Sequence, residues 1–219
     1  MSDDESDRPR RLEDTTAAYL LSISSKLDEF KKAPGDASLV EEQEILVNNV
    51  FEEIKNRVAS AACDKRTNSI IEQMVLVAEL PVLLELMNKF SKYARFLALN
   101  RHSSHVLESV FSRTSYIFKY VGIADELEDE AIKSVVNIAA QLLDSSSMFL
   151  LMKDMCSSHV IRALICLLSG LPIIKEKKSK NSKHQHMNVL SISMEEILLP
   201  DLCYVNSSYS YSVPDEFHG

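Results

Sequence analysis

Chain breakers are scarce in this sequence. Four glycines and six prolines in 219 residues supply too few turns for an all-β fold, and long segments run with neither, so an all-helical chain is expected. Paired cysteines are missing as well. Cys63, Cys156, Cys166 and Cys203 are scattered without a CxxC, which signals neither a disulfide framework nor a zinc site and fits a reducing, intracellular compartment. The amino terminus is acidic where a signal peptide would be basic and then apolar. The greasiest window, HVIRALICLLSGLPII, is interrupted by Arg162, Gly170 and Pro172. A soluble protein with no membrane span is the reading.

Catalytic machinery is also lacking. Ser104, His105 and Glu108 follow one another on one helix and diverge, so they cannot form a serine to histidine to acid relay, and no glycine-rich elbow offers an oxyanion hole. His184 and His186 form an HxH in a lysine-rich loop with no further ligand near in sequence. No enzyme, no cofactor and no metal site are expected.

The apolar share of 46% is that of a folded protein, and the formal charge of -8 argues against nonspecific adhesion to nucleic acid by the molecule as a whole. The charge is segregated, however. Acid collects in SDDESD (Ser2 to Asp7) and ADELEDE (Ala124 to Glu130), and KEKKSKNSK (Lys175 to Lys183) is basic. That run suits a nuclear address, a phosphate contact or a solvated loop.

Residues 1–13 lack periodic apolar positions and read as a disordered acidic tail. Asp14 is a candidate N-cap for a helix with Ala18, Leu21, Leu27 and Phe30 on its apolar side, closed by Ala-Pro-Gly at 33–35. SLVE at Ser38 to Glu41 reads as a capping box for a second helix, whose apolar residues are Ile45, Leu46, Val50, Phe51, Ile54 and Val58. Pro81 stands near a later helix start. Helical repeats are expected over 14–173, a basic loop over 174–188, and the start of an incomplete further repeat over 189–219.

What is present in three copies is a short motif: DKRTNSIIEQM from Asp64, NRHSSHVLESV from Asn100 and DMCSSHVIRAL from Asp154. Each has Asp or Asn, two variable residues, Thr or Ser, then a polar pair and two aliphatics. The first two copies start 36 positions apart and the last two 54, so a solenoid repeat with an insertion before the third copy is expected. The insertion includes the acidic stretch around 124–130.

At 100° per residue each motif splits into two faces. Asn68, Ser69 and Glu72 oppose Ile70, Ile71 and Met74. Ser104, His105 and Glu108 oppose Val106, Leu107 and Val110, and Ser158, His159 and Arg162 oppose Val160, Ile161 and Leu164. A presented triplet of this kind suits a nucleobase: residues one turn apart reach the base edge while the imidazole between them stacks. Glu72 and Glu108, as acceptors, favour a donor-rich edge such as guanine. Arg162 suits a phosphate. A protein-binding scaffold of the armadillo or HEAT kind is the alternative, but it would more often present aromatics or large aliphatics there.

The chain resembles the nucleolar protein nine family of Pumilio-like ribosome-biogenesis factors. The likeness runs from about Thr15 to Phe217. It rests on EEQEILVNNVFEEI, on SSHVLES, on SSHVIRALICLLSG with the long gap before it, on KEKKSK and on YSVPDEF at 211–217. What the resemblance implies is a right-handed α-solenoid of Pumilio-like repeats, here truncated. It would be a monomer in the nucleus and nucleolus, binding precursor ribosomal RNA near the end of the small-subunit RNA and working beside pre-ribosomal particle proteins.

Overall fold

The computed structural model describes residues 8–32, 37–144 and 148–171. Among these the chain is helical throughout: α1 (Asp14–Lys32), α2 (Ala37–Ile54), α3 (Val58–Cys63), α4 (Asn68–Val77), α5 (Leu80–Ser91), α6 (Ala94–Leu99), α7 (Ser103–Tyr116), a π-helical turn (Ile117–Val121), α8 (Asp125–Leu142), α9 (Met148–Lys153) and α10 (Ser158–Leu168). Among the described residues no helix is long and apolar enough to cross a membrane. The basic run 175–183, the Ala-Pro-Gly breaker, His184, His186, Cys203 and the expected partial repeat at 189–219 lie outside the described residues.

One unit recurs: a short helix, a tight turn, a motif helix and a return helix. It is α3–α4–α5, then α6–α7–α8, then α9–α10. The motif helices α4, α7 and α10 pack side by side in one layer and the return helices α5 and α8 pack in another, with α1 and α2 against α4. This is a helical solenoid, as the repeats predict.

The Asp/Asn-x-x-Thr/Ser signature has a local cause. The Asp154 carboxylate accepts the backbone N–H groups of Cys156 and Ser157 at 2.8 and 2.9 Å, and the Asn100 side-chain oxygen accepts those of His102 and Ser103 at 2.9 and 3.2 Å. Asp64 accepts the Arg66 N–H at 2.8 Å. Three residues on, the hydroxyls of Thr67, Ser103 and Ser157 donate to the carbonyls of Ala61, Leu97 and Leu151 at 2.7, 2.9 and 2.6 Å. Each turn thereby supplies partners for backbone groups that the two helix ends leave open.

The apolar faces of the three motifs are buried as expected, with Ile71, Met74, Val106, Leu107, Val110, Val160 and Leu164 all at 0% exposure. Elsewhere the structure shifts the expected register. The buried stripe of α1 is Ala17, Leu20, Ile23, Leu27 and Phe30, and Leu21 is exposed, because 20, 23, 27 and 30 share a face that 21 leaves by 100°. In α2 Ile45 is exposed and Val47 is buried, and Val58 opens α3. Glu13 takes the carbonyl role expected of Asp14 by accepting the Ala17 N–H at 3.0 Å. Two residues from the stretch read as a tail pack against the fold. Leu12 is buried, and the Arg8 guanidinium lies 5.8 Å from the Phe96 ring centre.

Pro81 stands in the first turn of α5, where its missing N–H costs nothing. The spacing of 54 comes from a longer α7, the π turn with Gly122 at φ 84°, and the long α8. The acidic residues Asp125, Glu126 and Glu128 form the first turn of α8, where the helix dipole favours them.

Candidate nucleic-acid interface

The three triplets stand at equivalent places on the adjacent helices α4, α7 and α10, each set by its own locked turn. Their exposures differ. Ser69, His105, Ser158 and Arg162 are exposed, and Asn68, Glu72 and His159 are half-buried. Ser104 and Glu108, expected on the open face, are buried at 1% and 9% exposure. The helical wheel assigns them correctly to the side away from Val106 and Leu107, but α10 closes over that side.

The seams between motif helices also differ. At the α4–α7 seam the Ser109 hydroxyl donates to Glu72 Oε1 at 3.0 Å. At the α7–α10 seam the residue in the place of Ser109 is Ala163, which has no hydroxyl to offer Glu108. Two imidazoles stand there instead. Glu108 Oε2 lies 3.8 Å from His105 Nδ1 and 3.7 Å from His159 Nε2, too long for hydrogen bonds. The two rings stack on each other, with centroids 5.0 Å apart and planes inclined by 22°.

His159 Nε2 and Ser104 Oγ are buried without hydrogen-bond partners. Burial is the main cause that lowers the pKa of His159, with His105 and Arg162 acting the same way. Glu108 and the Met155 backbone oppose it. The ring is therefore mostly neutral near pH 7.

Sequence reasoning named every residue of this cluster but could not bring His105, Glu108 and His159 to one point. Its stacking histidines belong to separate motifs, and only the packing of α10 on α7 makes them neighbours. The one readable signal was the change from Ser109 to Ala163 at matched motif positions.

A row of helical repeats that places polar triplets at matched positions along one layer is the architecture of a Pumilio-type α-solenoid. Residues 57–219 match the family described as the NOP9-like PUF repeat domain, and the chain belongs to that family. It is similar to nucleolar protein 9 of Debaryomyces hansenii, at 24% identity over 83% of this chain and 28% of the relative, and to that of Komagataella phaffii, at 27% over 76% and 30%. The chain thus spans less than a third of the length of the curated relatives it matches. The names of these two relatives place them in the nucleolus. In fold it is similar to the structure of APUM23-GGAAUUGACGG, with a TM-score of 0.63 and 20% identity over 75% of this chain and 28% of that one.

Proposed function

We propose that this chain binds single-stranded RNA along the α4–α7–α10 layer. There it would hold precursor small-subunit ribosomal RNA, beside pre-ribosomal particle proteins, and help to control its processing. The observation that carries this reading is the stacked pair His105 and His159, two flat side chains from neighbouring repeats, each with a ring nitrogen within 4 Å of the Glu108 carboxylate. A base entering between the rings has to part them from 5.0 Å to about 7 Å, two van der Waals spacings. Helices packed about 8 to 10 Å apart leave that room once the rings turn.

Opening the stack also uncovers Glu108 as an acceptor for guanine-type donors, and exposed Arg162 is placed for a phosphate. The oligonucleotide GGAAUUGACGG named with the similar APUM23 structure, and the nucleolar names of the relatives, support the same reading. A layer of His, Ser, Asn and Glu is a poor docking surface for a protein partner, which favours RNA over the armadillo-like alternative.

Filter binding with GGAAUUGACGG at several salt concentrations tests it. His105→Ala should weaken binding whatever base is offered, by about 1 to 3 kcal/mol of lost stacking, roughly fivefold to a hundredfold. Glu108→Gln should instead move base preference away from guanine. Affinity that neither variant changes, or no binding at low salt, would refute the reading.

A further inference from the structure

The α7–α10 seam holds a second kind of chemistry. His105, Glu108 and His159 place one ligand atom each within 4.8 Å of one another. Two imidazoles and a carboxylate are a ligand set that suits zinc, with a fourth position left for water. Sequence spacing gives no hint of it, since two ligands stand on α7 and the third on α10. We propose that His105, Glu108 and His159 form a binding site for a zinc-class divalent cation that fastens α7 to α10.

Three observations carry the site. Glu108 is a nearly buried carboxylate, and its ion-pair-range partners among the described residues are the two histidines alone. The neighbouring seam satisfies the equivalent Glu72 with the Ser109 hydroxyl, but Ala163 withholds that from Glu108. His159 Nε2 is buried beside the carboxylate with no hydrogen-bond partner. A divalent ion supplies what all three lack.

The three ligand atoms lie within 4.8 Å of one another and must draw in to the spacing of a metal site. Tetrahedral ligand atoms on zinc stand about 3.4 Å apart at bond lengths of about 2.0 to 2.1 Å. The two histidine to carboxylate distances, 3.8 and 3.7 Å, close by a few tenths of an ångström. The rings must also turn out of their parallel stack so that each plane contains the ion. His105, whose side chain is 58% exposed, is free to make that turn.

The site uses residues of the proposed RNA face, so an ion and a base exclude each other at this seam. Cation binding is nevertheless measured without RNA, and the failure of either reading leaves the other standing.

The experiment is calorimetric titration of zinc into the metal-stripped full chain, repeated with cobalt to read the ligand field by its visible absorption. One saturable ion per chain and a tetrahedral cobalt spectrum are expected. Glu108→Gln, His105→Ala and His159→Ala should each weaken binding by about tenfold or more. The double variant His184→Ala, His186→Ala should leave it unchanged. His105 is exposed, so His105→Ala tests the site even if the buried variants fail to fold by circular dichroism. No saturable binding, or binding that His105→Ala and Glu108→Gln leave intact, overturns the proposal, the latter by assigning the ion to other residues. With RNA present, zinc should lower the affinity of the wild-type chain, and a chelator should restore it.

Discussion

Asp154 and Asn100 perform one task with different chemistry. Each side-chain oxygen accepts two backbone N–H groups in the turn before a motif helix. Only Asp154 can lose the role to a proton. The Ser157 N–H is the largest cause holding its pKa below the usual carboxylate range; desolvation opposes it, and the Cys156 N–H, the Ser157 hydroxyl and nearby His159 add to the lowering. A carboxyl depressed by folding stabilises the protein above its unfolded pKa, about 3.9, and that contribution is lost as pH falls through the folded value. Asp154→Asn keeps an acceptor, as Asn100 demonstrates, and removes the titration. Thermal melts between pH 7 and pH 3 should therefore show the variant losing less stability than the wild type as pH falls. Parallel loss in both would show that the Asp154 turn is not charge-dependent.

At the scale of the element, the two seams of the motif layer have the same helices but a different polar contact. Ser109 to Glu72 joins α4 and α7, and Ala163 leaves the matching contact between α7 and α10 unmade. Ala163→Ser should restore it, with a hydroxyl donating to Glu108. A net gain of about 0.5 to 1.5 kcal/mol is expected for a hydrogen bond to an otherwise unpartnered carboxylate, read as a higher Tm. No gain would mean that Glu108 is already satisfied by its imidazoles. The same pair of seams marks what could be read beforehand. The turn signature and the buried aliphatic pairs come from short-range geometry within one motif, so they were legible. The burial of Ser104 and Glu108 was not, because helical periodicity treats every helix as lying on a core beneath it and has no account of a neighbour beside it.

The whole molecule ends its described part on an apolar edge. Phe149, Leu150 and Met155 around α9 are 68%, 69% and 87% exposed, and Ile132 and Val136 of α8 are 51% and 56% exposed. Exposed apolar side chains promote association where they lie together, as adjacent Phe149 and Leu150 do in sequence. The double variant Phe149→Lys, Leu150→Lys should leave folding stability within about 0.5 kcal/mol, since exposed positions contribute little. It should reduce concentration-dependent self-association in sedimentation velocity. Unchanged sedimentation would show that this edge is not sticky.

By itself the sequence determined that the chain is helical, that Asp64, Asn100 and Asp154 begin matching motifs, and that Ile71, Leu107 and Ile161 face a core. Those properties depend on residues within a few positions of one another, where backbone geometry and a 3.6-residue period are enough. Short-range rules also allowed the wrong choice between neighbours, as with Leu20 and Leu21, wherever two adjacent aliphatics compete for one stripe. Only the tertiary structure decided that His105 stacks on His159 and that Glu108 is buried with its carboxylate within 4 Å of a nitrogen of each. Those relations join α7 to α10, and the distance between two helices is set by how their faces pack, which no single helix's periodicity contains.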